Sequence, residues 1–463
     1  MARAKKETAL TPEERLQAAL VPDWEWPYKL PENWCWTRIG MVSNFERGIT
    51  FPAAAKEAAP TEDNIPCLRT ANVQENLEID DMIYVNRDFM KGNIAKLVRE
   101  NDIIMSSANS RELVGKSSFV THIPFPMTFG GFVLNIRAKE MSSKYLFYFL
   151  RHEFLAGKFI GESSQTTNIA NINTTTLGNY EIPLPPLPEQ QRIVDRIESL
   201  FAKLDEAKEK AQAVVDSFET RKAAILHKAF TGELTAKWRE ERGVGMESWK
   251  VRTLDSVCSS IFDGDHMPPP KAESGIPFLV ISNVNTGHLT FENTRFVPQE
   301  YYDTLSDTRK PQLGDVLYTL VGSFGIPVVV NSKRPFCFQR HMALLRPIDV
   351  SPQFLWYILQ TPEMYDKASS IATGTAQLTV PIKGLRAMTI PRPNIAEQVE
   401  IVRILDGFFA REQSAKEAAE AVLDQIDLMK KSILARAFRG ELGTNNPSEG
   451  SAVELLKEII RRG

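Results

Sequence analysis

Residues 182–234 and 390–442 align without a gap at a constant offset of 208. Ile182-Pro183-Leu184-Pro185 answers Ile390-Pro391-Arg392-Pro393, Glu189-Gln190 answers Glu397-Gln398, and Ile193-Val194 answers Ile401-Val402. The blocks close on Ala229-Phe230-Thr231-Gly232-Glu233-Leu234 and Ala437-Phe438-Arg439-Gly440-Glu441-Leu442. A repeat of this length constrains the fold more than any single motif, because each copy is one structural unit and two copies imply pseudo-twofold symmetry. Upstream the likeness continues more loosely. Ile65-Pro66-Cys67-Leu68 with Asn72-Val73 answers Ile276-Pro277-Phe278-Leu279 with Asn283-Val284, and Asp102-Ile103-Ile104 answers Asp315-Val316-Leu317. One skeleton carrying two sets of details fits a fold with two specificities.

Within the first block Ile193, Ile197, Leu200, Leu204, Ala207, Ala211, Val214 and Phe218 are spaced alternately by four and three, with Ile225 two steps further. The second block offers Ile401, Leu405, Phe408, Ala415, Ala419, Val422, Ile426, Met429 and Ile433. Sustained spacing of this kind is the seam of a coiled coil, not the broader stripe of a surface helix. Glu412 stands where the first copy has Leu204, and Arg221 where the second has Met429; polar seam residues fix register. Pro188 suits a first helical turn, Asn394 with Glu397 resembles a capping box, and Gly232 and Gly440 suit C-caps. Two helices of about forty residues follow. If the ends of the intervening domain lie close together, the helices pair antiparallel, and at 1.5 Å per residue the seam from Ile193 to Ile225 spans roughly 50 Å.

At 463 residues the chain exceeds one core. Residues 31 to about 180 and 246 to about 390 are rich in short strand-like runs, such as 102–105, 130–136, 316–321 and 327–331, punctuated by Gly, Pro, Asn and Asp. One helix per domain is expected near residues 144–152 and 352–360. The fold class is therefore α+β. The expected divisions are an N-terminal extension 1–30, domain 1 at 31–185, a long helix 186–231, a linker 232–245, domain 2 at 246–392, a second long helix 393–439 and a tail 440–463. The Pro12 to Leu20 segment reads as helical, as does Val453 to Arg462, and together they could complete the repeat in circular order.

Bulk properties exclude several classes. No apolar run is long enough to span a membrane and the N-terminus lacks a signal-peptide core, so a cytoplasmic location is expected. Cys35, Cys67, Cys258 and Cys337 are scattered without metal-binding spacing. A net charge of −3 argues against gripping nucleic acid by bulk positive charge. Val114-Gly115-Lys116-Ser117 ends like a phosphate-binding loop but Ser110 replaces its first glycine, and Asp263-Gly264-Asp265-His266 reads as a turn. His122, His152, His227, His288 and His341 show no ligand spacing. Methyltransferase, dinucleotide, zinc-protease and hydrolase motifs are all missing, so no catalytic residues and no metal site are expected.

Two variable domains, each leading into a helix that opens with Ile-Pro-x-Pro-x-x-x-Glu-Gln and closes with Ala-Phe-x-Gly-Glu-Leu, resemble the specificity subunits of type I restriction-modification systems. The Leu30-Pro31-Glu32-Asn33-Trp34 entry and the later Trp249 strengthen that likeness. The resemblance implies two target-recognition domains separated by an antiparallel coiled coil, each domain reading half of an asymmetric bipartite DNA sequence. It implies two adenine-N6 methyltransferase subunits supplying S-adenosylmethionine, two motor-nuclease subunits using ATP and magnesium, and no cofactor in this chain. Contact residues do not transfer by resemblance. Polarity and loop placement nominate Arg47, Arg69, Asn72, Asn109, Arg111, Gln165, Thr166, Thr167 and Asn168 in domain 1, and His266, Asn283, Ser323, Arg340, Thr375 and Gln377 in domain 2. A coiled-coil protein scaffold without DNA specificity, and a nuclease or methyltransferase of unrecognised type, are the rival readings.

Overall fold

A computed structural model describes residues 11–162, 164–166, 169–264, 269–375 and 377–462. The chain forms two compact units, one built from residues up to 210 together with those from 422 onward, the other from residues 211–421. Each unit contains one globular domain, the beginning of one long helix and the end of the other.

The two domains repeat the same sheets. In domain 1 the strands Ser43–Arg47, Val133–Ala138, Ile103–Ser106 and Ser117–Phe119 lie in that order, all antiparallel. In domain 2 Cys258–Asp263, Met342–Pro347, Val316–Thr319 and Pro327–Val329 do the same. A three-stranded sheet with one parallel pair follows in each, centred on Asn64–Leu68 and on Ile276–Leu279. The inner strands of the four-stranded sheets are buried on both faces over most of their length, and side chains along a strand alternate between them. Ile103 and Met105 therefore enter the core beneath the long helix, while Ile104 enters a second core. Val316 and Tyr318 part from Leu317 in the same way.

The loosely repeated acidic residue anchors this scaffold. Arg137 grips buried Asp102 through Nε at 2.8 Å and Nη2 at 3.0 Å, and also donates to the Leu97 carbonyl. Arg346 holds Asp315 at 3.0 and 2.9 Å and donates to the Lys310 carbonyl. Two-pronged guanidinium pairing satisfies a buried carboxylate that would otherwise be costly to desolvate.

The Ile-Pro-x-Pro motifs enter the helices as short strands. Glu181–Leu184 pairs antiparallel with Cys35–Arg38, and Thr389–Arg392 with Lys250–Thr253. The following glutamines are fully buried fasteners. The Gln190 side chain accepts from the Ser142 backbone N–H at 2.9 Å and donates to the Pro185 carbonyl, while Gln398 treats Ser351 and Pro393 alike. Ser142 and Ser351 cap the domain helices Ser143–Leu155 and Pro352–Leu359, so each glutamine ties a domain helix to a long helix.

The first long helix runs Leu187–Asp216 and Phe218–Thr231, and the second runs Ile395–Phe438. Ser217 interrupts the first, its hydroxyl bonded back to carbonyls one turn earlier, an arrangement that bends helices. Gly232 and Gly440 end the helices at φ 86° and 72°, as C-caps require. Asn394 caps Glu397 N–H at 2.9 Å, but the Glu397 carboxylate turns elsewhere, so the capping box is half made.

Within each unit the two helices lie side by side and run in opposite directions. Asp205 meets Lys430 at 2.5 Å in the first unit, and Arg221 meets Glu412 at 2.7 Å in the second. Ile193, Ile197, Ala211, Ile401, Leu405, Ala419 and Ile426 are buried, the first two in the core shared with domain 1 and Ile401 and Leu405 in that shared with domain 2. Leu200, Leu204, Val214, Phe218, Ile225, Phe408 and Ile433 are partly buried. Val422 and Met429 depart from expectation, being 41% and 47% exposed, and Ala415 is also exposed. The second helix instead turns Lys416, Leu423 and Lys430 inward, one residue later. The lysines reach rings and carboxylates there, with Lys416 over Phe218 and Lys430 over Phe201.

The helix Pro12–Ala19 packs with the C-terminal helix Ala452–Arg462 on the core of domain 1, to which Ala19, Leu456 and Ile459 contribute. All four cysteines are buried and free. Among the described residues no group of His, Cys, Asp or Glu could hold a metal ion, and no helix is long and apolar enough to cross a membrane.

Candidate nucleic-acid interface

One edge of each domain is assembled from three separate segments held by backbone hydrogen bonds. In domain 1 the hairpin of Ser164–Thr166 and Ile169–Asn171 adds to Ala108–Asn109, with Ala170 opposite Asn109 and Asn171 opposite Ala108. Ile172 N–H donates to the Ser107 carbonyl at 2.9 Å, and Ser107 N–H to the Phe132 carbonyl at 3.0 Å. The third segment is the turn 130–132, pressed against Gly48, where any Cβ would strike the Gly130 carbonyl.

Domain 2 builds the same edge. Thr379 bridges both Thr373 and Val321, Val380 N–H donates to the Leu320 carbonyl at 2.9 Å, and Leu320 N–H to the His341 carbonyl at 2.8 Å. Gly322 N–H closes on the Leu378 carbonyl. Tyr365 stacks parallel on Phe324 beside this hairpin, with half of its surface open.

Several nominated residues converge here. Asn109 and exposed Arg111 lie on the strand exit of domain 1, next to a hairpin whose backbone carries Gln165 and Thr166. Thr167 and Asn168 lie outside the described residues, as does His266. In domain 2 Ser323, Arg340, Thr375 and Gln377 are all exposed on the three segments. Arg47 ends the strand beside Gly48 and is exposed. Arg69 lines a neighbouring cavity of about 440 Å³ with Lys56, Phe51 and Phe132, though one of its nitrogens is engaged by Asp81 at 3.1 Å.

Two nominations need correcting. Asn72 and Asn283 are each 2% exposed and serve as loop pins, not surface readers. Asn72 accepts from Arg69 N–H and donates to the Glu78 and Asp81 carbonyls; Asn283 accepts from Val280 N–H and donates to the Glu292 carbonyl. Their identity in both copies was the available warning, since residues reading different sequences should differ. Sequence reasoning also passed over Phe132 and His341, which occupy matching places on the two edges. Burial lowers the His341 imidazole pKa below its ordinary value, with the neighbouring Arg340 charge adding to the effect.

The loop ending in Lys116-Ser117 is not a phosphate cradle. Lys116 is held by Gln74, and Ser117 opens a strand instead of a helix.

Comparison with known proteins matches residues 31–215 and 246–423 to the family described as the type I restriction modification DNA specificity domain. The chain belongs to that family. It is similar to the type I restriction enzyme EcoKI specificity subunit of Escherichia coli K12, 28% identical over 455 residues covering 93% of this chain and 96% of that one. It is also similar to the MjaVIII specificity subunit of Methanocaldococcus jannaschii, at 24% identity over 442 residues covering 90% and 95% of the two chains. The HsdS subunit of Thermoanaerobacter tengcongensis shares the fold with a TM-score of 0.61 at 21% identity, covering 90% of this chain and 99% of that one. A chain from a structural study of type I assembly and conformational transition reaches a TM-score of 0.67 at 21% identity, over 90% of this chain and all of that one. As a type I specificity subunit the chain recognises DNA and is not itself a catalyst.

Proposed function

We propose that the two domains read the unequal halves of one bipartite DNA target, and that the long helices act as an antiparallel coiled coil fixing the unread spacer between them. The observation carrying this reading is the edge built twice with the same backbone bonds and different side chains. A shared frame would let both domains approach DNA in the same manner, while Arg111 in one, and Ser323, Arg340 and Gln377 in the other, offer different hydrogen-bonding groups; the Asn109 amide is bonded to Ser106 Oγ and Ser110 N–H and shapes the strand exit instead. Two linked readers also bind more tightly than either alone, because the second contact forms at high effective concentration.

In this reading two adenine-N6 methyltransferase subunits dock on the near-identical helical repeats, bringing S-adenosylmethionine and much of the positive charge that a chain of net charge −3 lacks. Two motor-nuclease subunits add ATP- and magnesium-dependent translocation and cleavage, and the complex works in the cytoplasm.

The test is to insert seven residues in seam register into each long helix and map adenine methylation by the assembled methyltransferase complex. Seven residues add about 10 Å of helix, so the unread spacer should lengthen by at most about three base pairs with both half-sites intact. Altered half-sites with an unchanged spacer would show that the helices do not set the distance.

A further inference from the structure

Phe132 and His341 occupy one structural position in two copies. Each immediately precedes the central strand of its sheet, Val133–Ala138 or Met342–Pro347, and the next residue, Val133 or Met342, is buried. Each accepts at its carbonyl the same hydrogen bond from the strand exit, from Ser107 N–H at 3.0 Å or Leu320 N–H at 2.8 Å. The backbone at this position is thus fixed from two sides, while the Phe132 side chain points outward and the His341 side chain is partly exposed. Phe132 keeps 65% of its surface exposed although its backbone is held so firmly. A bulky apolar ring left in water on a rigid mount is suited to contact with an apolar surface.

The surroundings identify that surface. Phe132 stands between the polar hairpin with Asn109 and the cavity lined by Lys56 and Arg69. Amides and cations on either side suit a nucleic-acid backbone and base edges better than an apolar protein face. The apolar feature that a base edge offers in the major groove is the C5 methyl of thymine. Domain 2 replaces the ring by an imidazole next to exposed Arg340, a donor pair suited to the acceptors of guanine.

We propose that this shared position determines specificity, with Phe132 packing on a thymine methyl in one half-site and His341 hydrogen-bonding a guanine edge in the other. The inference rests on the reading that each domain recognises one half-site.

The experiment uses the full chain assembled with its methyltransferase subunits. Methylation mapping first defines both half-sites. Each thymine of the half-site read by domain 1 is then replaced singly by uracil, which removes only the methyl group, and binding is followed by fluorescence anisotropy. One uracil duplex should bind the unaltered complex about fourfold more weakly, the loss expected for one methyl-sized contact. F132A should bind the thymine and uracil duplexes equally, and F132L should keep part of the discrimination. H341F should relax selection at one guanine of the other half-site and leave the first untouched. A half-site without thymine, insensitivity to every uracil, or equal discrimination by F132A would overturn the proposal. If the unaltered complex fails to distinguish its mapped duplex from one with a scrambled first half-site, the underlying reading fails instead. Because Phe132 is mostly exposed, unchanged thermal melting of F132A shows that lost discrimination is not lost folding.

Discussion

The two long helices open on the same residue, Glu189 in one copy and Glu397 in the other, and the chain completes the two sites differently. Both carboxylates are fully buried near a helix N-terminus, whose partial positive charge favours an anion. Glu397 accepts from Thr235 Oγ1 at 2.7 Å and from Arg239 Nη1 at 2.5 Å, and Arg239 is itself buried and tied to the Gly232 carbonyl. Glu189 has Thr444 Oγ1 at 3.1 Å and a longer approach to Arg192 at 3.6 Å, while Arg192 is committed to Glu449 at 2.7 and 2.8 Å. The repeat therefore preserves a buried acceptor, and whichever segment follows the opposite helix supplies its donor. In the second unit that segment is the linker after Gly232. In the first it is the tail after Gly440, which gives the C-terminal residues a structural task.

This difference sets the largest expected effect. E397Q leaves the buried Arg239 guanidinium without its carboxylate and should destabilise the second unit by about 3 to 5 kcal/mol, whereas E189Q should cost about 1 kcal/mol or less. Thermal melting of both variants measures the gap, and equal losses would mean that the two sites are equivalent despite their partners. Burial raises the Glu189 pKa above its ordinary value. A raised folded pKa means that protonation favours the folded form, so this contribution is present below the ordinary carboxylate range and fades as pH rises through the raised value. E189Q should remove that slope from the pH dependence of stability.

A second comparison concerns the polar residues between the helices. Arg221 and Glu412 break the apolar pattern in different copies, and the structure makes them partners, with Arg221 also bonded to Ser217 and to the Val214 carbonyl. The corresponding pair of the first unit, Asp205 with Lys430, lies one residue away from the repeat-related positions, and its carboxylate is more than half exposed. A double-mutant cycle on R221A and E412A should give a coupling of about 1 kcal/mol, and one on D205A and K430A about 0.3 kcal/mol, since exposure weakens an ion pair. A stronger coupling at Asp205 would reverse the assignment of Arg221 and Glu412 as the principal register pair.

Much of this architecture is legible in the sequence because repetition does the work of an alignment. Asp102 and Asp315, or Gln190 and Gln398, stand out since both copies need the same buried bond. The α+β class follows from strand-length runs between turn residues. The edge built twice was harder to see. Asn109 and Ala170 are far apart in sequence and meet only through strand pairing, and Phe132 and His341 correspond only once the Ser107 and Leu320 bonds fix the register. Asn72 and Asn283 misled because polarity says nothing about burial, and their amides are turned inward onto the carbonyls of their own loops.

The last comparison tests which face of the second long helix meets the first. A helix advances 3.6 residues per turn, so positions 415, 422 and 429 and their successors 416, 423 and 430 compete to face the partner helix, and hydrophobicity alone selects the first set. The structure selects the second, because Lys430 reaches Asp205 and the Phe201 ring while its aliphatic stem covers apolar surface. Val422, Leu428 and Met429 are left outside. Replacing Val422 and Met429 together by serine should therefore change thermal stability by no more than about 0.5 kcal/mol, as for surface positions generally. The matching replacement of Ile401 and Leu405, both buried, should cost several times more. A large loss from the Val422 and Met429 pair would return those residues to the seam and put Lys430 outside it.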